Sequence, residues 1–328
     1  MKKEIDHNFS HLKFGSNNYI DLMQTKVYNI LLVSTFYDAF IFEEDGFFSE
    51  EMYREYDQLF FSQIPRITNV PTGKEALEIL KERDFDLVIT MLRIGEVTSY
   101  ELAEKIKKIK PDLPVLLLLN NESDIEIINR DVNKMGFVDD VFLWSGDNRI
   151  FLAMIKYIED LQNVEKDTAS GLVHVILIVE DSVHYYSRFL PILYKEIMQQ
   201  SQRLISAELT PLNRRRRMRT RPKVLLVHNY NEALNIIDRF KENLICVISD
   251  VKYPKDGVID AKAGLKLMEK INNDELSVAK LLQSTNIDNA PFAEQVDAVF
   301  LYKNSQTLLK DLRKFILKNL GFGDLILR

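Results

Sequence analysis

Short apolar runs recur along the chain at intervals that fit strands separated by helices. In the second half they cover 175–179, 244–249, 280–283 and 299–302, and one more strand is expected shortly after Arg221. Helix-like segments lie between them, which predicts parallel strands joined by crossover helices. The first half repeats the plan, with runs at 30–33, 66–70, 86–90, 114–119 and 138–143 and helical periodicity over 73–83, 99–109 and 148–162. Pro71-Thr-Gly73 and Lys110-Pro-Asp112 punctuate it where elements should change. The likeness of Ile30-Leu-Leu-Val-Ser-Thr to Ile176-Leu-Ile-Val-Glu-Asp marks a tandem repeat. The expected fold is α/β, two doubly wound five-stranded parallel sheets in succession.

Composition narrows the setting. A length of 328 residues suggests about two domains. An apolar content of 46% with 28% charged residues is enough for real cores. The net charge of −6 argues against a dedicated nucleic-acid binder. Cys246 is the single cysteine and lies in an apolar run, so it reads as core, and the chain fits a reducing cytoplasm. No apolar stretch is long enough to span a membrane, and Met1-Lys-Lys-Glu-Ile-Asp does not open a signal peptide.

Candidate chemistry sits at the ends of the second set of strands. Glu180 and Asp181, Asp250, Ser284 and Lys303 each fall at or just past a strand's carboxyl end. Ligands bind outside those ends in open parallel sheets, so the five would converge on one pocket. Three crowded carboxylates repel one another. A divalent cation and one ammonium would offset them, and Mg²⁺ takes oxygen ligands while keeping waters for an incoming phosphoryl group. Phosphoryl transfer needs that positioning and neutralisation more than covalent help. Taken singly, Glu180-Asp181 would read as a helix cap and Lys303 as a surface lysine.

These stretches resemble the receiver domain of bacterial two-component response regulators, a flavodoxin-like fold. The resemblance lies in Ile176-Leu-Ile-Val-Glu-Asp-Ser182, Val247-Ile-Ser-Asp-Val-Lys-Tyr-Pro254 and Val299-Phe-Leu-Tyr-Lys303, with Pro254 four residues after Asp250. It implies Asp250 as phosphoacceptor, with Mg²⁺ held by Glu180, Asp181, Asp250 and the backbone carbonyl of Lys252. Ser284 would contact the phosphoryl group and Lys303 would neutralise it. Phe300 would be a switch aromatic; its plainer reading is core. The implied partner is a histidine kinase or phosphotransfer protein, with a C-terminal or separate output module and a homodimer as further options. Such a receiver promotes its own phosphorylation and dephosphorylation and is not otherwise an enzyme. A dehalogenase-like phosphatase would need an aspartate where Lys252 stands.

The first copy lacks this chemistry. Ser34 and Thr35 replace the acidic pair, Met91 the phosphoacceptor, and Leu119 or Asn120 the hydroxyl. Ser145, or alternatively Trp144, replaces the lysine. A thioether cannot accept a phosphoryl group, so this half reads as a pseudo-receiver with a structural, dimerising or docking role. Asp38 lies beyond the strand end, and Asp139 and Asp140 precede their strand and read as solvated turn residues.

The expected boundaries are an N-terminal extension over 1–27, the pseudo-receiver over 28–165, the receiver over 172–320 and the start of a following segment over 321–328. Residues 183–206 read as a long helix with Phe189, Leu190, Leu193, Ile197 and Leu204 at helical spacing. Six arginines between Arg214 and Arg221 read as a solvated loop or an anion-attracting patch. The segment 255–262 lengthens the loop after Asp250. The long helix, the arginine run and the Gly321-Phe-Gly-Asp ending are similar to tandem receivers that precede phosphoenolpyruvate synthase-type modules. The alternative function is therefore a non-phosphorylated regulatory domain attached to such an enzyme.

Overall fold

A computed structural model of the protein describes residues 22–44, 65–95, 97–169, 173–207 and 220–320. Most of the 1–27 extension, most of the arginine run, the short linker at 170–172 and the ending at 321–328 lie outside the described residues. The first half holds strands β1 (Asn29–Val33), β2 (Arg66–Val70), β3 (Leu87–Met91), β4 (Val115–Leu119) and β5 (Asp140–Leu143). The helices among them are α1 (Phe36–Glu44), α2 (Gly73–Glu82), α3 (Ser99–Ile109), α4 (Asp124–Arg130) and α5 (Arg149–Ala169). The sheet is parallel in the order β2-β1-β3-β4-β5.

The second half repeats it. Its strands are β6 (Val175–Val179), β7 (Lys223–Val227), β8 (Leu244–Asp250), β11 (Ala279–Ser284) and β12 (Val299–Tyr302). Its helices are α6 (Val183–Ala207), α7 (Tyr230–Phe240), α8 (Ala263–Asn273), α9 (Ala290–Gln295) and α10 (Leu308–Asn319). The order β7-β6-β8-β11-β12 is the same one, again all parallel. These are two doubly wound, flavodoxin-like α/β domains in tandem. An addition is the antiparallel hairpin of β9 (Tyr253–Lys255) and β10 (Val258–Asp260), inside the segment after Asp250. Asp256 and Gly257, both at positive φ, make its two-residue turn.

Local chemistry explains the helix starts. Thr72 accepts the Glu75 N–H ahead of α2, and Asn229 does the same for Glu232 ahead of α7. Thr98 and Glu101 form a full capping box on α3, and Pro111 follows its end. Central strands β1, β4 and β6 are buried throughout or nearly so, as expected of parallel strands covered on both faces.

Each domain lends a helix to the outer strand of the other. From α6, the Tyr186 hydroxyl donates to the Val141 carbonyl and the Ser187 Oγ accepts the Leu143 N–H, so β5 has its open edge covered. From α5, Asp160 Oδ2 accepts the Val224 N–H of edge strand β7 at 2.9 Å. Edge groups left unpaired are a liability, and this exchange pairs some of them on one edge of each sheet. Phe142 and Tyr157 pack edge-on beside Tyr186, and one apolar core runs through both domains.

Charges are buried in that seam. Arg221 meets Asp160 through two bonds of 2.6 and 3.0 Å, and Lys223 reaches Asp167 at 2.7 Å. All four side chains are buried. Arg221 is thus a structural residue, unlike the solvated loop expected of the arginine run. Also on α5, Glu159, Asn163 and the same Asp167 accept the N–H groups of Val27, Thr25 and Met23 in turn. Spacing of four residues on a helix matches two on an extended chain closely enough for this ladder to form.

Candidate functional site

Backbone register aligns the two carboxyl ends residue by residue. Val33 pairs with Thr90 as Val179 pairs with Ser249, so Ser34 and Thr35 correspond to Glu180 and Asp181, and Met91 to Asp250. Thr90 and Ser249 even make the same hydroxyl bond to the carbonyl of the next residue. The Trp144 N–H donates to the Leu119 carbonyl as the Lys303 N–H donates to that of Ser284. Trp144, not Ser145, therefore occupies the lysine position, and Leu119, not Asn120, the hydroxyl position. Pairing register decides this: Leu143 lies opposite Leu119 as Tyr302 lies opposite Ser284, one residue off the alignment of Val141-Phe-Leu143 with Val299-Phe-Leu301.

In the second domain the predicted residues meet. Glu180, Asp181 and Asp250 each offer an oxygen within 4.8 Å of the others. Glu180 is fully buried, Asp250 is partly buried and Asp181 is exposed, so the cluster runs from the floor of the cleft to its rim. Lys303 Nζ lies 2.6 Å from both Glu180 Oε2 and Asp250 Oδ2. Asp250 Oδ1 accepts the Val251 N–H at 2.7 Å. Ser284 Oγ accepts from the Asn286 N–H and from Asn289 Nδ2, and its own proton has no partner among the described residues. Phe300 is half-buried against the apolar cluster that includes Leu282 and Val296. The Lys252 side chain is exposed.

Three supports were not legible beforehand. Gln283 Nε2 donates to Glu180 Oε2 at 2.9 Å; the first domain has Leu118 there, where no acid needs a donor. The Tyr185 ring faces the Lys303 ammonium at 4.2 Å, a cation–π contact. Gly264, in the first turn of α8, lies against the chain at Asp250, and a Cβ there would stand 2.0 Å from the Asp250 carbonyl oxygen. The only signal for Gln283 was a polar residue inside an apolar strand.

Electrostatics follow from burial and crowding. Burial, with the Asp250 charge, pushes Glu180 up to about 7 even though Lys303 pulls the other way. Asp181 is raised by the same two causes. Burial disfavours the Lys303 ammonium, but Glu180 and Asp250 outweigh it and raise its pKa. Counted as ionised, three carboxylates and one ammonium leave the cleft two charges negative. Hard oxygen donors, two of them reachable from solvent, fit Mg²⁺. Beside them, His228 directs Nδ1 to the Glu180 carbonyl at 2.9 Å and Nε2 to Asp140 at 3.3 Å. Both partners accept only, so both ring nitrogens carry protons, in keeping with a pKa raised to about 9: burial opposes the charge, and Asp140 more than offsets that.

The first domain's cleft is different. Ser34 Oγ donates to Asn69, and Asp38 accepts from Thr35 Oγ1 and Asn120 Nδ2. Met91 is buried. Among the described residues, the one acidic cluster fit for a metal is that of the second domain.

No protein-family model and no curated protein matches the sequence. Solved structures similar to part of it include a signal receiver domain of an HD domain-containing protein from Pseudomonas fluorescens Pf-5. Its identity is 20%, over 44% of this chain and 94% of that one, with a TM-score of 0.31. A response regulator from Thermotoga maritima in complex with Mg²⁺ and BeF is similar at 21% identity, over 40% and 98%, with a TM-score of 0.31. A receiver domain of a sensor histidine kinase from Pseudomonas aeruginosa PAO1, with magnesium in its active-site cleft, is similar at 13% identity over 41% and 98%, also at 0.31. Among the described residues, no helix is long and apolar enough to cross a membrane.

Proposed function

We propose that the second domain is a phosphorylation-dependent signalling receiver in which Asp250 accepts a phosphoryl group from a phosphohistidine donor. The observation that carries this is Lys303 bridging Glu180 and Asp250 at 2.6 Å each, within a three-carboxylate cluster open to solvent on one side. Asp250 attacks phosphorus, the P–N bond breaks, its electron pair returns to the donor's imidazole, and an acyl phosphate results. Lys303 neutralises the anion as it forms, and the Ser284 hydroxyl has a free proton to donate to a phosphoryl oxygen. Glu180, Asp181, Asp250 and the Lys252 carbonyl would hold Mg²⁺, which would supply the remaining charge compensation. Water then attacks the phosphorus of the acyl phosphate, the P–O bond to Asp250 breaks, and inorganic phosphate leaves with the carboxylate restored, so the domain times its own signal without a separate catalytic module.

The first domain then serves a structural or docking role, and the partner of the second is a histidine kinase or phosphotransfer protein. Nothing among the described residues favours the alternative of a non-phosphorylated domain attached to a phosphoenolpyruvate synthase-type enzyme. The test is a Mg²⁺ titration with and without beryllofluoride, followed by NMR. The mimic should bind only with Mg²⁺ and not to Asp250→Ala. Equal Mg²⁺ affinity in the wild type and in an Asp181→Asn/Asp250→Asn double variant would reject the site.

A further inference from the structure

Asp140 opens β5 in the domain that carries no phosphorylation chemistry, yet it is buried and heavily bonded. Its Oδ2 accepts from the Tyr157 hydroxyl at 2.7 Å, its Oδ1 from the Val141 N–H at 2.7 Å, and Tyr186 of the other domain approaches Oδ1 at 3.4 Å. The fourth neighbour is His228, which follows β7 directly and sets its ring beside that of Tyr186, tilted by 42° with centroids 5.2 Å apart. Far from being a solvated turn residue, Asp140 is only 7% exposed. Its counterpart contact leads straight to the cleft, because His228 also holds the main-chain carbonyl of Glu180.

We propose that the first domain is part of the phosphorylation site's positioning apparatus, through the relay Asp140–His228–Glu180 carbonyl. This rests on reading the second cleft as a Mg²⁺-dependent receiver. A donor fixed on the Glu180 carbonyl sets the path of the chain at the point where β6 ends and the two acids begin. Asp140 fixes the ring in turn, since an imidazole held at one nitrogen alone still pivots. The first domain's register offers no equivalent: Pro71 stands where His228 does, and a proline has neither ring donor nor N–H. His228 and Asp140 are positioning residues, touching neither phosphoryl group nor metal.

The experiment is a double-mutant cycle read on Mg²⁺ affinity rather than on stability, in the full chain, with Asp140→Asn, His228→Gln and both together. Each single variant should weaken Mg²⁺ binding by about fivefold or more, and the double variant should be no weaker than the worse single one. Ser187→Ala, which removes a different bond in the same seam, should leave Mg²⁺ affinity at the wild-type value. That control separates positioning from a general loosening of the interface. Unchanged Mg²⁺ affinity in Asp140→Asn, additive effects, or an equal loss in Ser187→Ala would overturn the relay while the receiver reading stands. A wild-type protein that binds no Mg²⁺ would overturn both.

Discussion

The two carboxyl ends share one backbone and differ in how much charge they hold. In the first domain, Ser34, Thr35, Asn69 and Asn120 satisfy one another and Asp38, and Met91 fills the centre without charge. In the second, Glu180, Asp181 and Asp250 crowd around a single lysine. The difference teaches that the fold alone does not make an acidic cleft: it supplies strand ends that converge, and a handful of side chains decides whether the cleft is settled or short of positive charge. Even the supports track this, with Gln283 serving Glu180 where Leu118 packs in the domain that has no such acid.

The sharpest way to break the comparison is to move an acid without its cation. Met91→Asp places a carboxylate at a buried position whose lysine counterpart is Trp144. Unfolding experiments should show a loss of about 3–5 kcal/mol, the size expected of an uncompensated buried charge. The converse removes the cation from its acids. Lys303→Met should cost about 3 kcal/mol at pH 8, less at pH 5, because Glu180 can take up a proton instead.

A smaller effect concerns pH. Glu180 is raised to about 7 from an ordinary 4.5, so the folded protein binds this proton more tightly than the unfolded chain does. Its contribution to stability is full below 4.5 and is lost as pH rises towards 7. Mg²⁺ competes with the same proton. Calorimetry should show affinity climbing by up to about tenfold per unit below pH 7 and levelling above it. In Glu180→Gln that slope should flatten.

Much of this was readable along the chain. Strand periodicity placed nearly every strand, and the acids, hydroxyl and lysine were found because each closes a local apolar run. What escaped notice depends on contacts far apart in sequence. Asp140 and His228 are 88 residues apart and Asp160 and Arg221 are 61 apart, and neither pair lies on a helical or strand period. Asp140 looked solvated because an acid before a strand usually is, but Tyr157 of its own domain and Tyr186 and His228 of the other enclose it. The lysine position in the first domain hung on a one-residue slip, since Leu143 takes the place of Tyr302 rather than of Leu301. The β9–β10 hairpin was visible as extra length, but its pairing rests on the positive-φ turn at Asp256 and Gly257.

The central claim is that one domain takes the phosphoryl group and the other does not. Full-length protein incubated with acetyl phosphate and Mg²⁺, then treated with borohydride, has any aspartyl phosphate converted to homoserine, which peptide mass spectrometry locates. The account predicts a single converted residue, Asp250, and none in Asp250→Ala. Conversion of Asp38 or any other acid in the first domain, or labelling that persists in Asp250→Ala, would contradict it.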